Sequence, residues 1–209
     1  MAEVRRRDYE MTDREAMLAF LDAQRHGFLA FVRTDGSPGL VALNFVRVGE
    51  QLYFHGSPEG EKMQSLARDP RVTFMTADPF SLIPSYWTDR KLACPATQYY
   101  KAVVVHGEVR IVTSREEKAE ALQALMEKLQ PEGGHAPISA SDPLYSKSLD
   151  TTAVLALPLT EMTAKFKFGQ NQPARKRATI AANLRERSGP RDKETAAEMQ
   201  RAALRNQGK

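Results

Sequence analysis

The strongest constraint on the fold lies in residues 28–57, "FLAFVRTDGSPGLVALNFVRVGEQLYFHGS". Three segments rich in β-branched and aromatic residues, "FLAFVRT", "LVALNFVRV" and "QLYFHGS", are separated only by "DGSPG" and "GE". Parallel neighbours need a crossover of a dozen or more residues, whereas antiparallel neighbours need only a tight turn. These connections therefore predict a β-meander of three hairpin-linked strands.

Thr12 with Glu15 reads as a capping box in front of a first helix carrying Ala16, Leu18, Ala19, Phe20 and Leu21, and Gly27 is expected to end it. After the meander, Ser57-Pro58 reads as an N-cap followed by proline at the first helical position, and Asp69-Pro70 closes that helix. "RVTFMTA" predicts a fourth strand, and "DPFSLIPSYWTDRKLACPAT" a long loop. "QYYKAVVVHGEVRIVT" is long enough for a bent or bulged strand. Ser114 with Glu117 begins a second helix whose apolar face is Ala121, Leu122, Leu125, Met126 and Leu129. "TTAVLALPLTEMTAKFKF" holds one or two more strands. The remainder is polar and predicted helical in two pieces, broken at Ser188-Gly189-Pro190. Six or so antiparallel strands with flanking helices point to an α+β, mainly β barrel. No G-x-G-x-x-G or Walker loop supports a doubly wound nucleotide fold.

Composition narrows the function. No stretch of eighteen apolar residues predicts a transmembrane helix, and the first fifteen residues lack the apolar core of a secretory signal. The single cysteine, Cys94, excludes an internal disulfide and fits a reducing cytoplasm. His26, His55, His106 and His135 have no metal-ligand spacing, so no metal is expected. Charge is uneven: residues 169–209 carry ten Lys or Arg against four acids, net +6, while residues 1–168 carry twenty against twenty-two, net −2. A basic tail of this kind is open to nucleic acid or an acidic partner. Its bases and acids are interleaved, however, and "ATIAANL" and "AAEMQRAAL" suit helices packed on the body or on a second subunit.

The segment "YFHGSPEGEKMQSL" carries the clearest chemical signal. A strand end, a hydroxyl at Ser57, a helix start and the Lys62 ammonium form a ready anion site. The plainer alternative is a capped helix with a solvated lysine.

The order of "LVALNFVRV", "QLYFHGS", "PEGEKMQSLARDP", "RVTFMTA" and "QYYKAVVVHGEVRIV" resembles the FMN-binding split-barrel superfamily, the pyridoxamine 5′-phosphate oxidase-like proteins. "LYFHGSPEGEKMQSLARDPRVTF" with "YYKAVVVHGEV" is similar to nitroimidazole-reductase-like members; "IPSYW" and "KFKFGQNQPARKRATIAANL" look like Pai-type FMN-binding proteins. The resemblance implies a six-stranded antiparallel split β-barrel over residues 1–168, a helical extension over 169–209, and a homodimer with FMN at the subunit interface. By position it implies that His55, Ser57 and Lys62 hold the FMN phosphate, that Val41, Ala42, Leu43 and Asn44 lie along the flavin ring, and that Tyr99, Tyr100 and Lys101 approach from a second strand. It also brings Gln170 and Asn171 toward the cofactor or the substrate mouth. Relatives often carry further bases in the phosphate loop; here Pro58, Glu59 and Glu61 stand in their place, so Arg33, Arg47, Lys101 or the tail would have to supply the charge.

The implied function is an FMN-dependent oxidoreductase passing electrons from a reduced nicotinamide to a small oxidised substrate. A flavin-binding transcriptional regulator without turnover is the alternative from another class. A third is a barrel holding haem or a deazaflavin, with His55 and His106 as the first haem-ligand candidates.

Overall fold

A computed structural model of the protein describes residues 4–207. The chain packs as two compact units: residues 18–76 with 104–162, and the N-terminal residues to 17 with 77–103 and those from 163 onward. Helix α1 (Arg14–Ala23) leads from the second unit into the first, and strands β5 (Arg71–Ile83) and β6 (Thr97–Glu108) each run through both.

The unit of residues 18–76 and 104–162 holds the meander. Strands β1 (His26–Val32) and β2 (Pro38–Asn44) pair antiparallel, Phe28 opposite Ala42, and β1 pairs on its other side with β5, Phe28 opposite Met75. A second sheet runs β3-β4-β8-β7, built from β3 (Val46–Val48), β4 (Gln51–Gly56), β7 (Arg110–Ile111) and β8 (Ala153–Pro158). Two segments that read as single strands in the sequence change sheets part-way. "LVALNFVRV" breaks at the fully buried Phe45, and the strand after Glu108 breaks at Val109, whose N–H donates to the Pro70 carbonyl at 2.9 Å. That is why the described residues form nine strands in two sheets, of five and four, where six barrel strands were expected. The fold remains α+β, with six α-helices among the described residues.

Phe45 and Phe54 pack on Phe74 with ring centroids 4.8 and 5.3 Å apart. Each such buried ring contributes roughly 2–3 kcal/mol of apolar burial. Helix α3 (Arg115–Leu129), capped by Ser114 Oγ accepting from Glu117 N, lays Ala121 and Leu125 on Val46, Tyr53, Val154 and Ala156 of the second sheet. Gly27 does not end α1. It lies inside β1, where a Cβ would run into the Phe74 ring and sit 2.8 Å from the Met75 carbonyl oxygen. The α1 cap also differs from expectation: Asp13, not Thr12, accepts from Ala16 N at 3.3 Å.

The other unit contains the far halves of β5 and β6, β9 (Glu161–Lys167) from Thr163, and helices α5 (Ala174–Arg187) and α6 (Asp192–Gln207). β5 extends through Asp78-Pro79 to Ile83, into the expected loop. Its pairing with β1 covers only Val72–Met75, so Pro79 falls where no N–H is needed on that side. Phe80 meets Phe168 edge-on at 4.9 Å, and Tyr99 meets Phe168 at 5.9 Å. α5 and α6 form a hairpin turned at Ser188, which takes the left-handed conformation (φ 50°). Three of the ten cations of this tail pair with acids among the described residues. Arg187 and Asp192 are bidentate, Arg191 and Asp78 likewise, and Arg201 pairs with Glu198.

Candidate functional site

The loop singled out in the sequence folds around a lysine. β4 ends at His55 and Gly56, residues 57–60 form a loop, and helix α2 (Glu61–Arg68) starts three residues later than expected, with Gly60 at its N-cap. Ser57 is therefore not the helix cap; its Oγ accepts from Glu59 N at 3.1 Å within the loop, leaving its O–H free to donate. The partly buried Lys62 bends back so that its Nζ would lie 3.1 Å from a Cβ at Gly56. Burial lowers its pKa, and burial followed by the Lys62 charge lowers that of His55. Neither side chain has a carboxylate partner among the described residues. Of the two acids near it, Glu61 is held by Arg33 at 3.0 Å and Glu59 is exposed. Lys62 of α2 thus reaches back to the end of β4 near His55, with Ser57 in the loop between them.

Val41, Ala42, Leu43 and Asn44 lie in the same unit, on β2 at the end of the strand order. One edge of their backbone pairs with β1, and the other has no strand partner among the described residues. The outward face they share with β1 and β5 is apolar and open. Leu40 is 66% exposed, Phe28 43%, Met75 40% and Val32 38%, and the register places them side by side. His106 Nδ1 lies 3.0 Å from Thr73 Oγ1, a contact that orients the ring and engages one of its two nitrogens.

Tyr99, Tyr100 and Lys101 belong to the other unit. Tyr99 is buried, and burial raises the pKa of its phenol. Lys101 pairs with the buried Glu198 at 2.8 Å and sits over the rings of Phe80, Phe166 and Phe168. Arg47 is committed to Asp22 at 2.6 Å. Hence Arg33, Arg47 and Lys101, the expected sources of extra positive charge, are each tied to an acid already. What sequence reading missed is a set of uncompensated cations on β9 and the N-terminal segment, Lys165 and Lys167 with Arg5 and Arg6, which line a cavity of about 450 Å³. The alternation of lysine and phenylalanine in "KFKF" was a signal for it, but it reads equally well as a solvent-facing strand.

Among the described residues no group of three His, Cys, Asp or Glu is placed to hold a metal, and no helix is long and apolar enough to cross a membrane.

Residues 13–166 match the sequence profile of the family described as pyridoxamine 5′-phosphate oxidase. The chain belongs to this family. Solved structures agree on the fold. A flavocytochrome, Anf3, from Azotobacter vinelandii superposes with a TM-score of 0.69 at 22% identity, covering 84% of this chain and 78% of that one. An FAD- and haem-binding protein from Mycobacterium smegmatis gives 0.66 at 25% identity, over 83% and 80%. A proposed 5-nitroimidazole antibiotic resistance protein from Bacteroides thetaiotaomicron gives 0.61 at 21%, over 75% and 85%. No curated protein matches the chain. Family and superposition place the chain among the split barrels that its strand order resembles.

Proposed function

We propose that this member of the pyridoxamine 5′-phosphate oxidase family is an FMN-binding oxidoreductase that works as a homodimer in the cytoplasm. The observation that carries the reading is Lys62: a half-buried ammonium with no carboxylate partner, folded over Gly56 beside His55 and the free Ser57 hydroxyl. A phosphate monoester wants such a convergence of one or two cations and several donors. The residues therefore fit the phosphate end of a flavin mononucleotide. The open edge of Val41–Asn44 offers backbone donors and acceptors for the polar rim of a ring, and the apolar face beside it offers a wall.

Bound there, a flavin would supply the centre that takes up electrons from a reduced nicotinamide and returns them to a small oxidised substrate. The chain's part is to hold the phosphate, orient the ring and exclude water, with no acid–base dyad required. The exposed patch of Phe28, Val32, Leu40 and Met75 supports the dimer, because a contiguous apolar face is costly to leave in water.

Haem is the second reading, favoured by the Mycobacterium smegmatis protein, which binds FAD and haem. His55 and His106 are the candidate ligands, the latter through Nε2, since its contact with Thr73 uses Nδ1.

The test is a visible-absorption titration of the protein with FMN, FAD and haemin. FMN binding that weakens roughly tenfold to a hundredfold in Lys62→Ala supports the reading, as expected for a hydrogen bond to a charged group. A Soret band lost in His55→Ala or His106→Ala would replace flavin with haem. No spectral change with any of the three would sink both.

A further inference from the structure

We propose that Arg33 is a positioning residue for the Lys62 anion site, a role that rests on the reading of Lys62 as the phosphate holder. Arg33 holds the Glu61 carboxylate against the β1–β2 turn and so leaves the start of α2 open to the phosphate of a ligand. Every residue involved lies in the unit of residues 18–76 and 104–162.

The sequence sets two charges in conflict. Glu61 is the first residue of α2 and directly precedes Lys62. A carboxylate there is attracted by the free N–H groups of the first helical turn and by the neighbouring ammonium. A bound phosphate would use the same groups. Gly60, at the N-cap, has no side chain to occupy those N–H groups. Glu61 is therefore a built-in competitor for the anion unless another cation takes its charge. Arg33 takes it: its Nε lies 3.0 Å from Glu61 Oε1. The charge that shifts His55 is that of Lys62, and Lys62 itself is shifted by burial, as expected with Glu61 turned away.

The guanidinium is fixed in place from two sides. Its Nη1 donates to the Pro38 carbonyl at 2.6 Å while Nε serves Glu61, a division of labour that needs the planar fork of arginine. The turn that carries it is closed by Arg33 N donating to Ser37 O at 2.8 Å and Gly36 N donating to Arg33 O at 2.9 Å, with Gly36 at φ +84°. The far end of α2 is tied to the same turn, Arg68 Nη1 donating to Thr34 O at 2.6 Å. The side chains of Arg33 and Glu61 are 36% and 60% exposed, so their pairing adds little to stability. Its effect lies in where the Glu61 charge sits.

Two readouts test this. The His55 ring is titrated by NMR without flavin, and FMN affinity is measured by absorption titration at low ionic strength. Arg33→Gln should raise the His55 pKa, because a released carboxylate favours the imidazolium. It should weaken FMN binding roughly threefold to tenfold, the size of one solvent-screened charge, and added salt should shrink the difference. Both changes should be reversed in Arg33→Gln/Glu61→Gln. They should persist in Arg33→Gln/Glu59→Gln, since Glu59 is the other, exposed acid of the loop. Arg33→Lys keeps the charge but not the fork and should fall between native and Arg33→Gln; it replaces that variant if Arg33→Gln does not fold. An unchanged His55 pKa in the Arg33 variants overturns the proposal. So does a loss of FMN affinity that Glu61→Gln fails to restore, or one that Glu59→Gln restores equally. Failure of the native protein to bind FMN would remove the phosphate reading of Lys62, while the His55 titration would still decide whether Arg33 holds Glu61 away.

Discussion

Single residues decide how the sheets close. At Gly27 a methyl group has nowhere to go, because the Phe74 ring edge and the Met75 carbonyl already fill its place. Gly27→Ala should lower stability by about 1–3 kcal/mol, read from urea unfolding, as expected when a packed core is overfilled. The loss should shrink in a Phe74→Leu background, which frees the ring's share of the space. Lys128 offers a prediction in pH. Its ammonium lies 4.1 Å from the Phe45 ring centroid, and burial pulls its pKa from 10.5 to about 8. Between those values the unfolded chain holds a proton that the folded chain has released, so stability rises as pH rises through that window. The gain over the window is about 2 kcal/mol, allowing for partial exposure, and Lys128→Met should abolish it. Unfolding free energies of the two proteins at both ends of the window check this.

At the scale of elements, the C-terminal helical hairpin is held by a buried carboxylate. Asp192 is 2% exposed at the start of α6. It accepts from Arg187 at 2.6 and 2.7 Å, from Ser81 Oγ at 2.6 Å and from Gly189 N at 2.8 Å. The Arg187 hydrogen bonds outweigh burial and hold its carboxyl far below the usual 3.8. The stability this gives is therefore complete above the ordinary carboxylate range and is lost only as pH falls through the lowered value. Asp192→Ala should cost about 3 kcal/mol at neutral pH, because it strands Arg187 and Ser81. The gap to the native protein should narrow in acid, which thermal unfolding at stepped pH would show. Three cations of the charge-rich tail, Arg187, Arg191 and Arg201, pair with acids in this way. The tail's helical periods were legible, but not that Asp78 of β5 would meet Arg191.

For the whole molecule, the outward face of β2, β1 and β5 carries the prediction. Leu40 is the most exposed of its four large apolar residues. Leu40→Glu should convert a dimer to a monomer in sedimentation velocity and weaken flavin binding with it, while leaving the far-ultraviolet circular dichroism unchanged. A monomeric native protein at the same concentration would remove the subunit interface from the proposed function.

What the sequence determined by itself was local. Tight turns between apolar runs allowed only antiparallel neighbours, and the hydrophobic period of "EEKAEALQALMEKL" placed one face of α3 on the core. The order of strands and the segment "YFHGSPEGEKMQSL" were enough to resemble the right family. The tertiary structure decided everything that depends on meetings between distant residues. Phe45 and Val109 divide apparently continuous strands between two sheets, since burial and hydrogen bonding across the fold, not local propensity, set where a strand must bend. Arg33, Arg47 and Lys101 look equally free in the sequence, yet each has an acid waiting in three dimensions. Lys62, Lys165 and Lys167 have none among the described residues. A charge is available to a ligand only when no neighbour has neutralised it, and neighbours are chosen by the fold.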